Sequence, residues 1–206
     1  MYLTSLLILF FAACYASGPQ KLIALPDALE APFSPPVVKA VSFSGNGFPQ
    51  DGLRKWISGG WRHFAFTLPD FTASYGGSKP RTVNCQAHMN LVGGEPGWQV
   101  ALKDVWTKGY LELDPEVKLT QFITTYYSQD AANTVLTSPS NSSLTRDITI
   151  RSSIPKESFV WSPCMGLDGY DGLINVNFRL AFTSTSVNSY GSFGGGKNLS
   201  ASGKWN

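Results

Sequence analysis

Leu173-Ile174-Asn175-Val176-Asn177-Phe178-Arg179-Leu180-Ala181-Phe182-Thr183 is the stretch whose reading decides the fold. Ile174, Val176, Phe178, Leu180 and Phe182 fall on one parity; Asn175, Asn177, Arg179, Ala181 and Thr183 fall on the other. Successive strand residues point to opposite faces, so this is a β-strand with one face in a core. The same period recurs upstream. Cys85, Ala87, Met89 and Leu91 oppose Asn84, Gln86, His88 and Asn90, and Phe64, Phe66 and Leu68 oppose His63, Ala65 and Thr67. Trp98, Val100, Leu102 and Trp106 read as the apolar side of the next strand. Further strands are predicted at residues 37–43, 109–113, 117–127, 144–151 and 158–161.

Turn chemistry separates these runs: Ser44-Gly45-Asn46-Gly47, Ser58-Gly59-Gly60-Trp61 and Gly93-Gly94-Glu95-Pro96-Gly97 all break the chain. No segment carries the 3.6-residue period of a long helix. Many short strands joined by Gly, Pro, Ser and Asn turns predict an all-β fold, an antiparallel β-sandwich with a β-barrel as the alternative. One domain is expected over residues 37–183. A Pro-rich arm precedes it at residues 17–36, and a Ser/Gly/Asn-rich tail follows at residues 184–206, where Trp205 is positioned to pin a last edge strand.

Leu6-Leu7-Ile8-Leu9-Phe10-Phe11-Ala12-Ala13 is an apolar run of signal-peptide length, and the small residues after it suit cleavage behind Ala16. It is shorter than the ~20 apolar residues a membrane-spanning helix needs. The expected product is secreted, with no membrane insertion of the mature chain. Cys14 leaves with the leader, so Cys85 and Cys164 remain and are expected to pair in an oxidising compartment. That bridge would close a loop of roughly 80 residues and contribute about 4 kcal/mol in the chain-entropy account. Asn141-Ser142-Ser143 and Asn198-Leu199-Ser200 are glycosylation sequons.

The composition is 43% hydrophobic and 13% aromatic, enough for a core, with only 15% charged residues and a net charge of +2. Nucleic-acid binding depends on a dense basic patch, and here Lys and Arg are scattered. No Gly-x-Ser-x-Gly elbow or phosphate-cradling loop is present, which weighs against an enzyme. His63 and His88, both on polar strand faces, are the histidines on which a catalytic site would have to be built. Asp168 and Asp171, in Asp168-Gly169-Tyr170-Asp171-Gly172, are two carboxylates in one flexible turn, which suits calcium only if further oxygens join them. No cofactor is expected. Asp104, Glu112, Asp114 and Glu116 read as solvated strand ends unless two of them face each other across a bound sugar. Trp56, Trp61, Tyr110, Tyr126 and Tyr127 flank turns or interrupt the alternation, and exposed aromatics on a sheet stack on sugar rings or anchor proteins.

Ser44-Gly45-Asn46-Gly47-Phe48-Pro49, Asn84-Cys85-Gln86, Pro96-Gly97-Trp98-Gln99, Gly109-Tyr110-Leu111-Glu112-Leu113-Asp114, Trp161-Ser162-Pro163-Cys164 and Ile174-Asn175-Val176-Asn177 occur in one order along the chain. In that order they resemble the domain of unknown function 4360 family, small secreted proteins found mainly in ascomycete fungi. The family usually has a cysteine where this chain has Phe48 and another at the extreme C-terminus, where this chain has Trp205-Asn206. The resemblance therefore implies that one of two usual bridges is absent. It supplies no catalytic residues.

The reading that joins secretion, aromatic richness and missing catalytic signatures is a non-catalytic extracellular module that binds cell-wall polysaccharide or a surface glycoprotein. The alternatives are an extracellular hydrolase built on His63 or His88, and an effector-like protein that binds an extracellular protein partner.

Overall fold

The computed structural model describes residues 3–13, 34–48, 57–58, 64–68, 70–128, 130–137, 140–141 and 145–194. Thirteen strands form two antiparallel sheets that face each other as a sandwich, and no α-helix occurs among the described residues. In chain order they are β1 (Leu3–Ala13), β2 (Val37–Ser44), β3 (Ile57–Ser58), β4 (Phe64–Leu68), β5 (Ala73–Tyr75), β6 (Thr82–Val92), β7 (Trp98–Leu113), β8 (Val117–Tyr127), β9 (Asp130–Thr137), β10 (Ser140–Asn141), β11 (Thr145–Ser153), β12 (Tyr170–Ser184) and β13 (Gly191–Phe193). β1, β3, β4, β5, β7, β11 and β13 make one sheet; β2, β6, β8, β9, β10 and β12 make the other.

The deciding stretch is the centre of the six-stranded sheet. β12 pairs with β6 along one edge, Phe178 opposite Cys85, and with β8 along the other, Phe178 opposite Ile123. Its inward residues Ile174, Val176, Phe178, Leu180 and Phe182 are buried, as are Cys85, Ala87, Met89 and Leu91 of β6. They pack against Val100, Leu102, Val105 and Leu111 of β7, Phe64 and Leu68 of β4, Ile150 of β11 and Phe193 of β13. A cluster of polar side chains, Gln121, Thr107 and Ser152, is buried within this core. Gln121 of β8 donates from Nε2 to Thr107 Oγ1 at 3.0 Å and to Ser152 Oγ at 3.4 Å, while its Oε1 has no partner.

β7 departs from simple alternation. Val100 and Leu102 point inward, and so do Val105, Thr107 and Leu111, because the pairing of β7 with β1 skips Lys103. That bulge shifts the inward parity, so Trp106 lies half-buried on the outer face instead of in the core. There the Arg151 guanidinium stacks over its ring at 5.3 Å. The strands expected on either side of residues 107–108 are one continuous strand, Trp98–Leu113. Residues 158–161 do not form a strand: Lys156–Ser158 is a 3₁₀ turn, and Trp161 makes only an isolated bridge to Ala101.

In the full-length chain residues 3–13 form β1, which pairs with both β4 and β7. An apolar run in extended conformation satisfies its amides by pairing with a strand on each side. Cys85 is a free thiol, completely buried, so the expected Cys85–Cys164 bridge is not formed. The inward parity of β6 carries Cys85 into the sandwich against Phe178, whereas Cys164 belongs to the loop that follows the Trp161 bridge. The arm at residues 17–36 is described only from Ser34, and the tail only to Gly194. The tail's last described strand, β13, is interior, paired with both β7 and β5.

Truncating Phe178 to Ala removes a buried ring from the centre of this core and is expected to cost about 3–5 kcal/mol, read from denaturant unfolding. Burial pushes the Cys85 thiol up to about 12. Iodoacetamide at pH 8 should therefore leave Cys85 unmodified in the native protein and alkylate it after denaturation; rapid native alkylation would contradict this placement.

Candidate functional site

The outer face of the six-stranded sheet is built by residues on the polar parity of four neighbouring strands. Cross-strand register sets them in rows: Ser42 of β2, His88 of β6, Asn175 of β12 and Tyr126 of β8 form one, and Ser44, Gln86, Asn177 and Thr124 the next. Asn84, Arg179 and Phe122 form a third. Strands lie about 4.8 Å apart and same-face rows about 6.7 Å apart, so four strands make a surface about 14 Å across. Arg179 is its only charged residue within these rows, and its guanidinium stacks over the Phe122 ring at 5.6 Å.

Hydrogen bonds tie the first two rows together. Asn175, which is buried, donates from Nδ2 to Ser128 Oγ at 2.7 Å and to Leu173 O at 3.4 Å. A carbonyl only accepts, so Asn175 turns Oδ1 toward β6, where His88 Nδ1 donates to it at 2.6 Å and Gln86 Nε2 lies at 3.5 Å. Gln86 Nε2 also donates to Tyr126 OH at 2.8 Å. With its proton on Nδ1, neutral His88 presents Nε2 as an acceptor, and Ser44 Oγ sits 3.0 Å from it. Asn177 Oδ1, in the middle row of the grid, and Asn90 Oδ1, farther along β6, are shielded and accept no hydrogen bond.

The aromatic residues singled out in the sequence divide by parity. Tyr126 belongs to the grid. Its neighbour Tyr127 points the other way, completely buried, and donates from its hydroxyl to Val100 O at 2.9 Å. Burial, reinforced by the Asp171 charge, raises the Tyr127 pKa. Tyr127 is thus a core residue and not a platform for ligand, because adjacent strand residues cannot share a face. Tyr110 is half-buried on the outer face of the other sheet, on the parity of Trp106. Trp56, Trp61 and His63 lie outside the described residues, as does Asn198; Asn141 is described only in backbone, in β10 opposite Leu119.

The carboxylates do not converge. Asp171 is completely buried, accepting the Gly94 N–H on Oδ2 at 2.7 Å, and Asp168 Oδ1 accepts the Tyr170 N–H at 3.2 Å within its own turn. Among the described residues no three His, Cys, Asp or Glu side chains group as metal ligands. Asp104 is buried beside exposed Arg151, whose Nε lies 3.0 Å from Oδ1, and also accepts from Ser153 Oγ. Burial alone would raise the Asp104 pKa, but the bonds from Arg151 and Ser153 and the charges of Arg151 and Lys103 hold it below the usual carboxylate range. A residue held ionised in this way is no general acid. Asp114 Oδ2 accepts the Tyr190 N–H at 2.6 Å and Glu116 Oε2 faces Ser189 Oγ at 3.4 Å, so these two serve the loop before β13.

Asp171 gives a test with a definite sign. Burial raises its pKa and so does the Asp168 charge, against the lowering by the Gly94 bond. A folded pKa above the unfolded value of about 3.9 means the protonated form favours folding. That contribution is complete below about pH 4 and disappears as pH climbs through the raised folded pKa. Asp171→Asn, which keeps an oxygen for the Gly94 N–H, should flatten this part of the stability–pH profile in urea titrations from pH 4 to 8. An unaltered slope would show that Asp171 is not its source.

A protein of Arthroderma benhamiae described as an "Uncharacterized secreted protein" is 25% identical to this chain over 157 residues. The match covers 75% of this chain and spans 62% of the relative's length. The chain is a secreted protein, as this relative is. The family model described as "Domain of unknown function (DUF4360)" matches residues 35–203, from the start of β2 through all the strands that build the grid, and the chain belongs to that family.

Proposed function

We propose that this protein is an extracellular binding module for neutral polysaccharide, with the outer face of the six-stranded sheet as its platform. The observation that carries the proposal is the almost uncharged grid of amides, hydroxyls and one imidazole. Each amide offers two N–H donors and a carbonyl acceptor, which matches sugar hydroxyls that both donate and accept. Tyr126 and Phe122 add ring surface along one side of the grid, as sugar recognition requires. A nearly neutral chain, net charge +2, suits an uncharged polymer better than a polyanion.

Depletion from solution by insoluble chitin, cellulose and β-glucan tests this. The expected result is saturable retention on one polymer, reversed by its soluble oligosaccharide. Gln86→Ala and Tyr126→Ala should each weaken retention about tenfold, equivalent to about 1.4 kcal/mol. No retention on any of the three polymers would overturn the proposal, and retention indifferent to both substitutions would remove it from this face.

A second reading, an acyl hydrolase, is favoured by one specific arrangement. Ser44 Oγ, His88 and Asn175 Oδ1 stand in the order nucleophile, base and orienting residue, at 3.0 and 2.6 Å. Asn175 holds the productive tautomer but contributes no negative charge to an imidazolium, the service a carboxylate performs in serine hydrolases. A fluorophosphonate probe that labels the protein at Ser44, and fails on Ser44→Ala and His88→Ala, would favour this reading. Absence of labelling would exclude an activated Ser44.

A further inference from the structure

The outer face of the six-stranded sheet does not end at the His88 row. β6 carries two more outward residues, Asn90 and Val92; the register sets Ala40 and Leu173 beside the first, and Val37 and Tyr170 beside the second. Val37 is 56% exposed, Tyr170 44%, and Leu167, in the turn just before Tyr170, 95%. That turn is fastened to the end of β6, where Gly93 donates its N–H to Gly169 O at 3.0 Å. Three of the five large apolar side chains exposed among the described residues thus gather at one end of the face, and the row of Val37, Val92 and Tyr170 holds no charge.

Two bulges turn these side chains outward. The pairing of β2 with β6 skips Lys39 and that of β12 with β6 skips Asp171, one on either side of the Leu91 level. A skipped residue reverses the parity of the strand beyond it, so without the bulges Val37 and Tyr170 would point into the sandwich. The bulge in β12 is kept at a cost. It buries the Asp171 carboxylate completely, with Oδ1 accepting no hydrogen bond, and it needs Gly172 at φ +116°, where a side chain would be strained. Bulges concentrate where a side chain has to be re-aimed for function.

Resting on the polysaccharide reading, we propose that Tyr170 is the outermost of three ring subsites on this face, and that the ligand is a linear, unbranched neutral glycan lying along the strands. The spacing of the rings carries this. Phe122 stands in the row of Asn84, Tyr126 in the row of His88 and Tyr170 in the row of Val92, so a ring recurs every four residues of β6. Two same-face rows measure about 13 Å, and the three rings mark even steps over about 27 Å along the strands, against about 14 Å across them. Even steps suit a polymer of identical units, which offers an apolar ring face at constant intervals; a compact branched glycan does not. Gln86 and Asn177 stand between the first two rings and Asn90 between the second and third, so amides alternate with stacking surfaces along the line.

Calorimetric titration with linear cello-, chito- and laminari-oligosaccharides, from the disaccharide to the octasaccharide, tests the proposal. In the series that binds, affinity for the native chain should climb with length and level off once all three rings are reached. Tyr170→Ala should weaken the octasaccharide about tenfold and leave the shortest binder unchanged, with the melting temperature as the check on folding. Tyr170→Phe, which keeps the ring, should bind as the native protein does. Affinity that does not rise with length, read on the native chain alone, overturns the proposal. So does an octasaccharide indifferent to Tyr170→Ala while Gln86→Ala still weakens it, an outcome that leaves the grid standing. A loss in Tyr170→Phe equal to that in Tyr170→Ala would replace stacking by a hydroxyl contact and remove the ring subsite. No binding of any oligosaccharide overturns this proposal and the polysaccharide reading together.

Discussion

Everything in this sandwich depends on β12 having a full-length neighbour on each side. Eleven residues pair with β6 and eleven with β8, so the strand that carries the clearest alternation is also the one whose register is fixed from both edges. A slip by one residue would turn Ile174, Val176, Phe178, Leu180 and Phe182 to solvent. The buried face therefore fixes the outer face. The positions of Gln86, His88, Asn175 and Tyr126 relative to one another follow from where Phe178 has to be.

That dependence explains what could be read from the chain before its structure. The strands at β2, β6, β8 and β12 were legible because each has one wet and one dry face, and period two separates them without ambiguity. The polar parity of His88 and Asn175 was legible as well. Their contact was not, because it arises from the pairing of strands 87 residues apart, and nothing in either segment encodes the partner. Tyr126 and Tyr127 look equivalent in sequence, and only the inward count from Leu119 and Ile123 tells the surface ring from the core one. Cys85 and Cys164 misled through arithmetic: two cysteines remain after the expected leader, yet β6 carries Cys85 into the hydrophobic interior, where it stays a free thiol.

The polar cluster of Gln121, Thr107 and Ser152 marks a tension inside the core. Burying an amide is tolerable when each of its atoms is bonded, and costly when one is not. Here the Gln121 Oε1 is stranded, buried with no hydrogen-bond partner.

The bulge at Lys103 has a bearing on how related chains are compared. Within a strand, a skipped residue exchanges the roles of every position beyond it: what faced the partner sheet faces water, and the reverse. Trp98 and Trp106 are eight residues apart, which a regular strand would place on one side, yet Trp98 packs against the core and Trp106 lies under Arg151 on the outer face. A relative lacking this one residue would not have a shorter strand in any useful sense. It would show the opposite polarity at residues 98–102, and a one-residue gap in an alignment there would record a reversal of surface chemistry in place of a trivial change in length.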